Sequence, residues 1–114
     1  MKVRKVIAYK HYFEEFLTKQ PVKVQNKIFK IIEAIETLER IPENYLKSIS
    51  GTKGLYEARI SLASNIWRVF CFFDHGKLVI LLNGFTKKTQ KTPKNEIEKA
   101  VRLMNEYFNE KEVK

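Results

Sequence analysis

The run Leu78–Phe85 constrains this chain most, because only Asn83 and Gly84 in it are not large and apolar. A strand with one wet face alternates apolar and polar residues, whereas an unbroken apolar run suits a strand covered on both faces. It follows Asp74-His75-Gly76-Lys77, a hairpin-turn signal in which the glycine supplies a positive φ. Two alternating runs come before it. Leu55–Ile60 sets Leu55, Glu57 and Arg59 against Tyr56, Ala58 and Ile60, and Asn65–Phe73 sets Ile66, Arg68, Phe70 and Phe72 against Trp67, Val69, Cys71 and Phe73. Ser61–Ser64 reads as the loop between them, and Leu78–Phe85 is expected centrally in the resulting sheet.

The rest of the chain supplies helices. Val3–Ala8 reads as a short first strand. From Tyr9 the period changes, with Tyr9, Tyr12, Phe13, Phe16 and Leu17 at helical spacing. Pro21 suits the first turn of a second helix, whose stripe of Val24, Ile28, Ile31, Ile35 and Leu38 runs on to about Arg40. Ser48–Gly54 is a polar connection. Thr92 is the expected N-cap of a last helix and Pro93 its first residue, with Ile97, Ala100, Val101, Met104 and Phe108 as the apolar stripe. The predicted order is β-α-α-β-β-β-α: an α+β fold with a mostly antiparallel sheet, a helical hairpin and a closing helix. Residues 1–114 are read as one domain, and Asn109–Lys114 as a fraying tail.

No apolar stretch approaches the ~20 residues that span a bilayer, and no signal-peptide core follows the basic start, so a cytoplasmic protein is expected. Cys71, the single cysteine, reads as a reduced core thiol. The net charge of +9 is unevenly spread: residues 53–94 hold eight basic and two acidic side chains, while residues 95–114 hold four and five. A basic sheet flanked by basic loops meets the requirement for polyanion binding, although a merely solvated surface would look similar.

Few catalytic constellations fit. The chain has no C-x-x-C, no H-E-x-x-H and no glycine-rich phosphate loop, and the carboxylates of residues 53–94 are only Glu57 and Asp74. No metal or other cofactor is expected. What remains is a set of cations on or beside adjacent strands: Lys53, Arg59, Arg68, Lys87 and Lys88. RNA carries its own nucleophile, the 2′-hydroxyl, so its cleavage needs in-line geometry, proton transfers and stabilisation of a dianionic transition state. Arginine and lysine can supply that stabilisation. Glu57 is the carboxylate near enough to Arg59 to serve as a base, or equally as a salt-bridge partner. Lys91 and Lys94 read as phosphate anchors, and Tyr56 as a base-stacking ring or a core residue.

Jointly, these residues resemble a known family. Leu55-Tyr56-Glu57-Ala58-Arg59-Ile60, Ile66-Trp67-Arg68-Val69-Phe70 and the segment Leu81–Pro93, with Gly84-Phe85, Lys87-Lys88 and Lys91-Thr92-Pro93, look like the phage-derived HigB-like toxins of the RelE/ParE superfamily. Glu96-Ile97-Glu98-Lys99-Ala100 resembles the start of that family's closing helix. The resemblance implies a RelE-like fold and a small antitoxin partner of the helix-turn-helix, HigA-like kind. It also implies metal-independent cleavage of messenger RNA, usually on the translating ribosome, which inhibits translation. Arg59 and Arg68 then fall on basic strand positions of the superfamily, and Lys87 and Lys88 on the cation after the last strand. Well-studied members also carry a late tyrosine or histidine near the active site. Nothing in Thr89–Lys99 matches one, and Tyr107 is the only late candidate. A gyrase-directed, ParE-like toxin and a non-catalytic binding module remain open alternatives.

Overall fold

A computed structural model describes residues 1–88 and 91–112. The order is β1 (Lys5–Ala8), α1 (Tyr12–Thr18), α2 (Val22–Thr37), β2 (Leu46–Ser48), β3 (Leu55–Leu62), β4 (Asn65–Asp74), β5 (Leu78–Lys87) and α3 (Lys94–Glu112). The five strands form one sheet in the order β1-β5-β4-β3-β2, with β1 parallel to β5 and the other pairs antiparallel. The apolar run thus lies inside the sheet, paired on both edges, with Val79, Ile80 and Leu82 fully buried.

Each face has its own core. Phe13, Phe16, Val24, Ile28, Ile31 and Ile35 of the hairpin pack on Ala58, Ile60, Trp67, Val69, Cys71 and Leu81. Ala100, Leu103 and Met104 of α3 pack with Leu55, Phe70, Phe72, Ile80 and Leu82 on the other face. The expected α+β fold is therefore present, with helices on both faces. Two close fits hold the layers. The Phe16 ring lies 2.6 Å from where a Cβ on Gly84 would stand, so only glycine lets α1 seat at that depth. Arg4 donates to the carbonyls of Ile35, Leu38 and Glu39, satisfying the end of α2, where acceptors lack intrahelical donors.

Several boundaries differ from expectation. β2 is not among the expected strands, and only its last residue falls in the expected Ser48–Gly54 connection: a three-residue strand offers too little periodicity to be seen, and pairing with β3 creates it. Tyr9 and Lys10 precede α1, because Lys10 takes φ 54°, outside the helical region. α2 stops at Thr37, since Leu38 is extended. Pro93 is the N-cap of α3 rather than its first residue, as its carbonyl accepts from Glu96 and Ile97. The helix continues through Glu112, so residues 109–112 of the expected frayed tail are helical. Lys111 explains this, its ammonium lying 2.8 Å from Asp74 Oδ2 on the sheet. The hairpin after β4 turns through His75, Gly76 and Lys77, with positive φ at both His75 (60°) and Gly76 (69°), the second where glycine carries no Cβ penalty.

Candidate functional site

Register assembles the site. Arg59 pairs with Arg68 across β3 and β4, Lys47 of β2 pairs with Glu57, and Ile66 pairs with Lys87 of β5. Directly paired residues share a face. These side chains therefore gather on the face that α3 covers further along, at the end of the sheet beside the β3–β4 turn.

Glu57 is the hub. Its Oε2 lies 3.5 Å from Arg59 Nε and 3.5 Å from Arg68 Nε, while its Oε1 accepts from the Thr92 hydroxyl at 3.3 Å. At 3.5 Å the arginine contacts are ion pairs rather than good hydrogen bonds. Both Nε atoms are buried without a hydrogen-bond partner among the described residues. Arg68 is 4% exposed and spends one terminal N–H on the carbonyl of Trp67. Arg59 reaches the Glu43 carbonyl only at 3.5 Å. Two guanidiniums thus share one carboxylate and keep donors open.

The electrostatics are unbalanced. Burial pulls the Arg68 guanidinium below its usual range, Glu57 opposes this and Arg59 adds to it. The Lys87 ammonium is also lowered, first by burial and then by Arg68, with Arg59 and Lys47 contributing. Four cations surround one anion, an arrangement that repels metal ions and attracts phosphate. Among the described residues, no group of three His, Cys, Asp or Glu side chains could hold a metal ion.

Of the candidate residues, Glu57, Arg59, Arg68 and Lys87 are brought together at this end of the sheet. Lys88 is exposed just beyond β5, and Lys91 and Lys94 are exposed on either side of Thr92-Pro93. Thr89 and Gln90, within the same motif, lie outside the described residues. Two candidates are not brought to the site. Lys53 is exposed before the other end of β3, and Tyr56 lies on the hairpin face, its ring edge-on to Phe73 at 5.1 Å. Tyr107 is remote as well. Its hydroxyl donates to Asp74 at 2.6 Å, six residues along β4 from Arg68, or ~20 Å at 3.3 Å per residue. Sequence reading missed Lys47, hidden in the unrecognised strand, and Thr92, whose hydroxyl turns to Glu57 instead of capping α3.

An α+β domain with an under-neutralised cationic cluster at one end of its sheet is the class this geometry defines. The family model described as Phage derived protein Gp49-like (DUF891) matches residues 15–105, and the chain belongs to that family. Among solved structures it is similar to a chain of the archaeal RelE–RelB complex from Pyrococcus horikoshii OT3. That match has a TM-score of 0.55 at 18% identity and covers 74% of this chain and 94% of the other. A search of curated protein sequences found no match.

Proposed function

We propose that this protein is the toxin of a type II toxin–antitoxin pair, of the HigB-like kind, and that it cuts messenger RNA without a metal, on the ribosome, in the cytoplasm. The observation that carries the reading is the Arg59–Glu57–Arg68 triad with Lys87 beside it: a buried and two half-buried cations with too little negative charge, the two guanidiniums keeping donors open. Its partner is a small helix-turn-helix antitoxin. The likeness to a chain from a RelE–RelB complex supports an antitoxin partner, and the resemblance to HigB-like toxins supports its helix-turn-helix kind.

In this mechanism the 2′-oxygen of the RNA attacks the adjacent phosphorus while the bond to the 5′-oxygen breaks. Arg59 and Arg68 stabilise the charge that develops on the phosphoryl oxygens. Lys87, its ammonium made more acidic by burial and neighbouring cations, donates the proton that the leaving 5′-oxygen requires. Glu57 holds both guanidiniums in place. Because both of its oxygens are engaged, it is assigned to positioning rather than to proton transfer. The 2′-hydroxyl proton leaves to a base outside this set. Lys88, Lys91 and Lys94 anchor flanking phosphates.

The test is induced expression of wild type, Arg59→Ala and Arg68→Ala, with primer-extension mapping of transcripts and circular dichroism for folding. Loss of one such donor is expected to lower cleavage by on the order of 10²–10³. Cleavage should persist in EDTA and leave 2′,3′-cyclic or 3′-phosphate ends. Folded variants that cut at wild-type rates would sink the mechanism. Growth arrest by the wild type with intact RNA would favour a gyrase target instead.

A further inference from the structure

A second concentration of cations lies on α2. Lys23, Lys27 and Lys30, spaced to share one side of the helix, line an open groove of about 350 Å³ together with Asn26 and Leu62 of β3. Among the described residues, no acidic side chain lines it. None of the three ammonium groups makes a hydrogen bond or ion pair with another described residue.

The arrangement works against the helix that carries it. Lys23 sits in the first turn, at the positive end of the helix dipole, where α2 has neither an acidic residue nor a side-chain cap. Lys23 and Lys27 repel at i,i+4, as do Lys27 and Lys30 at i,i+3. A bound anion would relieve both conflicts at once.

The location of the groove indicates which anion. Leu62 ends β3 at the turn into β4, where Ser61 pairs with Ile66 and Ile66 with Lys87. Two strand spacings of ~4.8 Å separate β3 from β5, so groove and cluster lie at the same end of the sheet, on opposite faces. We infer that the groove binds the phosphodiester backbone of single-stranded RNA, carrying the strand that leaves the Arg59–Arg68–Lys87 cluster around the β3–β4 turn. The lysines grip phosphates as point charges without reading sequence, Asn26 adds a polar contact, and Leu62 packs against sugar. This inference rests on the nuclease reading for the strand's origin, but its test does not require cleavage.

The probe is 2′-O-methyl RNA, which lacks the nucleophile, as a strand only long enough for the cluster and as one several times longer. Binding to the full chain and to the K23Q/K27Q/K30Q variant is titrated against salt. On the long strand the variant is expected to lose about 2 from the log–log salt slope, at ~0.7 per lost phosphate contact, while the short strand is unaffected. Folding is followed by circular dichroism. The melting temperature of the variant should rise at low salt, since repulsion has been removed, and K27E alone should weaken long-strand binding should the triple variant not fold. An unchanged slope on the long strand overturns the inference. So does normal long-strand binding combined with lost binding to polyglutamate, which assigns the groove to an acidic protein, or with reduced sedimentation on ribosomes, which assigns it to ribosomal RNA. Failure of the nuclease reading would appear separately, as length-dependent binding without any cut transcript.

Discussion

Glu57 touches Arg59, Arg68 and Thr92 at once, and its neutral isostere separates its possible roles. Arg68 is buried with Glu57 as its nearby carboxylate, so Glu57→Gln leaves a desolvated charge without its partner. We expect a loss of about 3 kcal/mol, at the low end for a broken buried pair because Arg59 is partly solvated, measured by urea denaturation. A base would instead lose activity with stability intact. Lys87 makes a pH prediction. Its ammonium lies below the ordinary 10.5, so between the folded and unfolded pKa the unfolded chain binds more protons, and the destabilisation from this residue fades as pH rises through that window. If Lys87 is the proton donor, cleavage falls as pH rises through its folded pKa, earlier than for an ordinary lysine. Lys87→Arg should lack that alkaline limb, because guanidinium does not titrate there. Identical alkaline profiles for the two proteins would assign the proton elsewhere.

At the scale of elements, the layers meet through few side chains. Adding a methyl at Gly84 pushes against the Phe16 ring, itself confined in the hairpin core. Gly84→Ala is expected to cost about 1–3 kcal/mol by overpacking, read as a lower denaturation midpoint, whereas a strand glycine with room for a Cβ would leave the midpoint unchanged or raise it. The end of α3 is held differently. Asp74, at the end of β4, accepts from Tyr107 and Lys111, and the Lys111 contact does most to hold its carboxyl below the usual range. A carboxylate with a depressed folded pKa stabilises the protein above its unfolded pKa, and that stability is lost as pH falls through the folded value. Asp74→Asn should therefore destabilise at neutral pH by about 1.5–3 kcal/mol and flatten the acid limb of stability. Hydrogen exchange of residues 107–112 should rise in step, and unchanged exchange would mean that apolar packing alone seats the helix.

At the scale of the whole molecule, charge governs association. A +9 chain with basic surfaces at one sheet end calls for a partner that supplies negative charge, steering encounter and masking the cluster. The complex with the proposed antitoxin is expected to weaken with added salt where rim charges dominate, and Lys87→Glu with Lys88→Glu to weaken it further. Calorimetry that is indifferent both to salt and to these reversals would rule out charge masking as the basis of binding.

How much of this could be read in advance follows from the range of the interactions. Alternation in Leu55–Ile60 and Asn65–Phe73, and its absence in Leu78–Phe85, are local patterns, so the strands, their faces and the α+β class were legible in the chain itself. So were Glu57, Arg59 and Arg68, since alternation puts like-spaced residues of a strand on one face. The rest depended on pairing between distant segments. β2 exists through its hydrogen bonds to β3, and only that pairing sets Lys47 opposite Glu57. Thr92 carries a cap's chemistry, yet its hydroxyl finds Glu57, 35 residues away. Tyr107 and Lys111 become structural because Asp74 lies beneath them. The local sequence determined which faces are apolar and where cations stand along each strand. Only tertiary packing decided which cations share a carboxylate, because ion pairing depends on separation in space, and sequence spacing predicts that separation only within a single element.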